Sequence, residues 1–213
     1  MTVITAHSGC DETPENSLKY IRHALSCPFD VIEIDIRRRK DGVLVLSHND
    51  DNLNKKVLLG DAFKRISKSL IYVNCDLQEN GLEDDVIRIA DENGLELYRL
   101  IFTGSVTEPE TFMKRYKDIK VFITPEILID DFYTRVTRKK EDLLVKKALE
   151  YGFKVLNVNY RMCDEIFFKM CDMAGLQISA WTVDDRDTFD SLRKQGILNI
   201  TTNHSEFILP LID

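Results

Sequence analysis

No stretch of this 213-residue chain is apolar for long enough to cross a membrane, and no basic N-terminal segment leads into an apolar one. Strand-like sequence begins at Val3. Neither a membrane span nor secretion is therefore expected, and the chain reads as cytoplasmic. Cysteine is sparse and unpatterned: Cys10, Cys27, Cys75, Cys163 and Cys171 are odd in number and show no C-x-x-C spacing. That excludes a disulfide framework and a zinc site, and leaves reduced thiols that act mostly as small core residues. Positive charge is also short. Lys and Arg number 29 against 36 Asp and Glu, a net charge of -7. Nucleic acid and anionic membranes are bound through excess cations, so neither is expected as the main partner. A small phosphate ligand stays open, because a local metal overrides net charge. Linkers, low-complexity segments and internal repeats are missing too, so residues 1–213 are expected to form one domain.

What is present is alternation. Strand-like runs at 3–7, 31–36, 70–77, 97–102, 120–124, 155–159, 177–183 and 198–202 are separated by amphipathic stretches. Helices are expected at 18–25, 60–67, 82–92, 108–116, 139–151, 163–173 and 187–194, several ending at a glycine. Thr13 is placed to cap the first helix, with Pro14 and Glu15 in its first turn. The run 43–47 reads as a hairpin extension of the second strand. Alternating β and α elements imply a parallel sheet with helices outside, and eight periods argue for closure into a (β/α)8 TIM barrel. An open doubly wound sheet is the rival. It would need a Gly-rich first turn, and His7-Ser8-Gly9-Cys10-Asp11 lacks G-x-G-x-x-G.

The chemistry concentrates in 31–50. Glu33 and Asp35 lie two apart in an otherwise aliphatic strand and so project to one side. The following run delivers His48. Two carboxylates beside an imidazole suit a hard metal with an acid/base group next to it. The competing reading is a structural pair bonded to Arg37, Arg38 or Arg39, with Arg37–Lys40 otherwise a solvated turn. In a barrel, the C-terminal strand ends form the active-site rim. Here they carry His7, Glu33, Asp35, His48 and Asp76, with Trp181 late in the seventh strand as either core packing or a substrate wall. Asn16 could bond to a rim residue. His23 and His204 read as ordinary surface residues.

These residues resemble the glycerophosphodiester phosphodiesterases. His7-Ser8-Gly9, Pro14-Glu15-Asn16-Ser17, Glu33-Ile34-Asp35, Lys40-Asp41-Gly42 and His48-Asn49 follow the order of that family's motifs. Ala180-Trp181-Thr182-Val183-Asp184 and the strand after Gly196 resemble its later segments. The resemblance implies a divalent cation, Mg2+ or Ca2+, on Glu33, Asp35 and a third acid, for which Asp76 is placed. It implies His7 and His48 as the acid–base pair, a contribution of ~10²–10⁴-fold to the rate. The implied substrate is a small phosphodiester of lipid and glycerol metabolism, and the implied products are an alcohol and a phosphomonoester such as glycerol 3-phosphate.

The departures are specific. Ser8 and Gln78 stand where the family has a phosphate-contacting arginine and lysine, Asp76 replaces a glutamate and Asn49 an aspartate. Ser8, Gln78 and Trp181 are the expected substrate-binding residues, the first two offering neutral hydrogen bonds in place of charge-assisted ones. The segment between His48 and Asp76 is short for the family, so its inserted subdomain is expected to be much reduced and the site open. A binding or regulatory barrel that keeps the metal site with weakened chemistry is the alternative. A lyase forming a cyclic phosphate is a third reading.

Overall fold

Eight short parallel strands, most of whose residues are buried, leave this chain few options but to wrap helices around a closed sheet. The computed structural model describes residues 2–208. In chain order the elements are β1 (Val3–Ala6), α1 (Leu18–Ala24), β2 (Val31–Arg38), β3 (Leu44–Leu46), α2 (Leu59–Ile66), β4 (Tyr72–Leu77), α3 (Glu83–Glu92), β5 (Leu100–Gly104) and α4 (Pro109–Arg115). They continue with β6 (Lys120–Val121), α5 (Pro125–Leu128), α6 (Arg138–Glu150), β7 (Val155–Asn159), α7 (Glu165–Met173), β8 (Gln177–Trp181), α8 (Arg186–Lys194) and β9 (Asn199–Thr202). The parallel order is β6-β5-β4-β2-β1-β9-β8-β7, and β3 pairs antiparallel with β2. A parallel bridge between Ile123 and Leu156 joins β6 to β7 and completes the barrel. The expected (β/α)8 architecture is thus the one observed. No helix among the described residues is long and apolar enough to cross a membrane.

The helices pack as their sequences dictate. Leu59, Ala62, Phe63 and Ile66 of α2 recur at i, i+3, i+4 and i+7, and all four are buried. Each larger side chain of that stripe contributes about 1.5–3 kcal/mol by leaving water. Ser17, Thr137, Asp164 and Asp185 each accept a backbone N–H as N-caps of α1, α6, α7 and α8. The cap of α1 is therefore Ser17 and not Thr13. Asp11, Glu12 and Asn16 have positive φ, so the chain makes several left-handed steps after β1 before a helix can start.

Two other expectations shift, and the reduced insertion is as expected. Leu97–Arg99 is a 3-10 turn in place of the start of a strand. From there the fully buried Arg99 reaches the carbonyl oxygens of Ile66 at 3.1 Å and Ile71 at 2.6 Å. β6 is shorter than expected: it ends at Val121, and beyond the Ile123 bridge Pro125 opens a one-turn helix, α5. Residues 49–71 hold only a 3-10 turn, Leu53–Lys55, and α2, so no inserted subdomain stands over the barrel mouth.

Candidate active site

Strand register assembles the acidic cluster. Glu33 and Asp35 face the barrel interior, while Ile32, Ile34 and Ile36 point the other way into the helical layer. β2 pairs with β4 so that Asp35 lies beside Asp76, and β4 pairs with β5 so that Asp76 lies beside Thr103. One oxygen each from Glu33, Asp35 and Asp76 comes within 4.8 Å of the others. Gly104 closes this corner. Its φ is +72°, and a Cβ there would lie 2.3 Å from the Leu77 carbonyl oxygen and 2.8 Å from Asp76 Oδ1.

Asp35 is the hub. Its Oδ2 accepts from Ser8 Oγ at 3.0 Å and Asn16 Nδ2 at 2.6 Å, and its Oδ1 accepts from Gln78 Nε2 at 2.7 Å. Gln78 Nε2 donates to Asp76 as well, and Thr103 Oγ1 donates to Asp76 Oδ1 at 2.7 Å. The Ser8 N–H donates to Glu33 Oε2 at 2.7 Å. No arginine or lysine pairs with the cluster among the described residues. Arg38 binds Asp85, Arg39 binds Asp41, and Arg37 donates to the His48 carbonyl at 2.8 Å. The structural ion-pair reading of Glu33 and Asp35 thus has no cation to support it, and the basic run is a set of local clamps. Burial, reinforced by Asp35 and Asp76, drives the Glu33 carboxyl well above the usual range. Burial, then the charge of Asp35, brings Asp76 to about 6.

The two imidazoles flank the cluster. β3 folds back on β2, Ser47 N–H bonds the Asp35 carbonyl at 3.0 Å, and His48 Nδ1 arrives 3.2 Å from Asp35 Oδ1. His7 follows β1, its N–H bonded to the Thr202 carbonyl, and its Nδ1 lies 3.0 Å from Asn203 Oδ1. Asn203 is itself oriented by Asp184, whose carboxylate accepts from the Asn203 backbone and side-chain nitrogens at 2.8 Å each. Because Nδ2 must face Asp184, Oδ1 faces His7 and accepts the Nδ1 proton. Nε2 is then the ring nitrogen with a free lone pair.

The three carboxylates and the two imidazoles border one cavity of about 470 Å3, whose wall includes His7, Glu33, Asp35, His48, Asp76 and Trp181. Of the residues singled out from sequence, Ser8 and Gln78 lie instead at its acidic floor, their donors directed at the carboxylates. Asn16, expected to bond a rim residue, bonds Asp35 through both halves of its amide. Trp181 borders the cavity and also packs edge-on against Tyr133, centroids 6.2 Å apart. Thr103, Gly104, Glu126 and Asn203 were not anticipated. A polar residue inside a barrel strand was the one available signal, and only for Thr103.

Two other features are set apart from this site. Cys10, Asp11 and His23 form a second group of metal-ligand type, with His23 Nε2 bonded to Asp11 Oδ2 at 2.7 Å. His23 is accordingly half-buried and partnered, unlike the surface residue expected. Burial, then Asp11, pushes the Cys10 thiol up to about 12, which disfavours a thiolate ligand. The larger cavity, about 830 Å3, opens at the opposite barrel end among Val3, Val31, Tyr72, Ile101, Phe122 and Val155. It brings no imidazole or carboxylate pair together.

The comparisons with known proteins agree with this geometry. A family model described as the glycerophosphoryl diester phosphodiesterase family matches residues 7–73, the span that holds His7, Glu33, Asp35 and His48. A glycerophosphodiester phosphodiesterase of Caldanaerobacter subterraneus is 23% identical over 249 residues, covering 99% of this chain and 98% of the relative. The crystal structure of the Thermotoga maritima glycerophosphodiester phosphodiesterase superposes with a TM-score of 0.76 at 19% identity, covering 99% and 98% of the two chains. An Oleispira antarctica phosphodiesterase, solved in complex with the product sn-glycerol-3-phosphate, gives a TM-score of 0.74 at 18% identity and coverage of 100% and 97%. In sequence, residues 7–73 thus resemble the glycerophosphoryl diester phosphodiesterase family, and over nearly its whole length the chain shares the barrel fold of the solved relatives.

Proposed function

We propose that the chain is a metal-dependent phosphodiesterase that hydrolyses a small glycerophosphodiester-type substrate to an alcohol and glycerol 3-phosphate, within lipid and glycerol metabolism. The observation that carries this reading is the convergence of Glu33, Asp35 and Asp76 oxygens within 4.8 Å, without a cationic partner, between two imidazoles. The product held by the Oleispira relative supports the choice of substrate class.

The donor set fits a hard divalent cation, Mg2+ or Ca2+. It is all oxygen, and such an ion offsets the burial and the like charges that raise Glu33 and Asp76. Glu33, Asp35 and Asp76 would hold it. When bound, the ion polarises a phosphoryl oxygen and neutralises charge that develops in the transition state. Asn203 holds His7 with its Nε2 lone pair free, and Asp35 orients His48 through Nδ1. One imidazole takes the proton of the attacking hydroxyl or water, and the other protonates the leaving alkoxide. Thr103, Asn16 and the Ser8 N–H fix the carboxylate rotamers, so the acidic cluster is organised in advance of binding.

Phosphorus NMR on glycerophosphodiesters tests the reading. Loss of the diester signal with growth of a phosphomonoester signal, dependent on Mg2+ or Ca2+ and abolished by chelator, is expected. Folded protein that leaves every diester intact refutes hydrolysis, and a cyclic phosphate as end product makes the chain a lyase.

A second reading is a phosphate-binding or regulatory barrel with weakened turnover. It is favoured by Ser8 and Gln78, which direct their donors at carboxylates where a cation would meet phosphate. The double substitution Ser8→Arg with Gln78→Lys separates the two. A large gain in turnover supports a weakened site, whereas a wild type that is already as fast dismisses it.

A further inference from the structure

Apart from the catalytic cavity, the loop after β1 meets the end of α1 at a second cluster of ligand-type atoms. Cys10 and Asp11 come from the loop, His23 from the last turn of α1, and Cys27 from the turn that follows it. One ligand atom each from Cys10, Asp11 and His23 lies within 4.8 Å of the others. His23 Nε2 is 2.7 Å from Asp11 Oδ2 and 3.6 Å from Cys27 Sγ. C-x-x-C spacing is absent because the donors belong to a loop, a helix and a turn, which only the fold brings together.

The plain reading is a carboxylate–imidazole clamp packed against two thiols that fill space. Hydrogen bonding accounts for only part of the arrangement. Nε2 carries one proton, and the 2.7 Å contact directs it at Asp11. Cys27 Sγ then lies beside a nitrogen with no lone pair to offer. Cys10 is fully buried, and its thiol makes no hydrogen bond among the described residues. The spacing adds a quantitative match. Zinc bonds of about 2.3 Å to sulfur and about 2.0–2.1 Å to nitrogen, at a tetrahedral angle, set those two atoms about 3.6 Å apart. Cys27 Sγ and His23 Nε2 are separated by 3.6 Å. The Asp11–His23 pair would open by about 0.6 Å to complete the geometry, which the half-buried imidazole allows. A coordinated ion displaces the proton from sulfur, so the high pKa of the Cys10 thiol describes the ion-free cluster only.

We propose that Cys10, Asp11, His23 and Cys27 bind one thiophilic divalent cation, Zn2+, as a structural staple between the loop after β1 and the end of α1. Four protein ligands close the coordination sphere, as in structural zinc sites. Two sulfurs also separate this site from the all-oxygen cluster, which suits hard ions. The staple reaches the cavity through Asp11. Its N–H donates to the Asn203 carbonyl at 2.8 Å, and its Oδ1 accepts from the Ser205 N–H at 3.0 Å. An ion on Asp11 therefore steadies the turn whose Asn203 holds His7. Binding at this site does not depend on the phosphodiesterase reading.

The test uses Co2+ as a spectroscopic stand-in for Zn2+. Reduced protein in millimolar Mg2+, which fills hard sites, is titrated with Co2+, and thiolate ligation is read from sulfur-to-cobalt charge-transfer absorption. The band should saturate at a single equivalent and be bleached by a single equivalent of Zn2+. Affinity should fall about tenfold or more in Cys27→Ser and in His23→Gln, two positions that are only partly buried, and should be unchanged in Glu33→Gln. In parallel, the wild-type Tm should rise with a single equivalent of Zn2+ and return in chelator, the rise being lost in His23→Gln. Folded wild type without the band, or Co2+ affinity undiminished in both Cys27→Ser and His23→Gln, overturns the site. A band with no rise in Tm overturns the staple.

Discussion

Replacing Glu33 by Gln should make the metal-free protein more stable while removing its response to divalent ions. Three carboxylate oxygens lie within 4.8 Å of one another. At an effective dielectric near 20, two full charges at that spacing repel by about 3.5 kcal/mol. Glu33 takes part in two such pairs and is buried, which is why its carboxyl is held well above the usual range. The raised pKa lets the carboxyl escape part of this repulsion by taking a proton, so a net gain of ~2 kcal/mol is expected, or about 4–8 °C in Tm for a chain of this size. Gln keeps an oxygen to accept the Ser8 N–H, so the packing change is small. The assay is thermal unfolding at pH 7.5 in chelator and then in millimolar Ca2+ or Mg2+. Wild type should gain stability from the ion, and the variant should start higher and gain little. A Glu33→Gln protein that melts lower than wild type in chelator would mean the carboxylate is a structural partner, and the reasoning fails.

Other expectations follow from the same contacts. The folded-state pKa of Asp76 is raised from 3.8 to about 6, so the folded state binds more protons than the unfolded chain between those values. The Asp76 contribution is then most favourable below about pH 4 and is lost as pH rises through 6. The stability difference between Asp76→Asn and wild type, measured by urea unfolding without metal, should therefore be small at pH 4 and grow in favour of the variant by pH 7; a flat difference contradicts this. Gly104→Ala should cost more than ~2 kcal/mol, from the positive φ and the 2.3 Å approach to the Leu77 carbonyl, and should also weaken ion binding by displacing Asp76. A variant as stable as wild type would refute the close approach. Nitrogen-15 NMR of His7 should show the Nδ1–H tautomer, with Asp184→Ala producing a mixture as the Asn203 amide loses its anchor; an Nε2–H tautomer in wild type would contradict the assignment.

Much of the barrel was legible because its signal is local. Period-2 inward carboxylates in β2, apolar stripes such as that of α2 and the Asn93-Gly94 end of α3 each declare an element within a dozen residues. The E-x-D pair and the strand-ending histidines were visible for the same reason. What was hidden depends on contacts far apart in sequence. Thr103 matters because β5 registers against Asp76, and Asn203 because the last strand returns beside His7. Glu126 sits on a one-turn helix, opened by Pro125, that is too short to show any periodicity. Sequence reads Ser8 and Gln78 as facing substrate, because it does not show that the nearest acceptor is the Asp35 carboxylate on the neighbouring strand. Leu97–Arg99 carries strand-like composition but winds up because a buried guanidinium must reach two carbonyls.

The central claim is that Glu33, Asp35 and Asp76 together grip one divalent cation between His7 and His48. Anomalous diffraction from a crystal soaked in Mn2+ tests it most directly. The account predicts a single ion within ~2.0–2.6 Å of an oxygen from each of the three carboxylates. An ion that settles instead at Cys10, Asp11 and His23, or protein that takes up none at millimolar Mn2+, contradicts it.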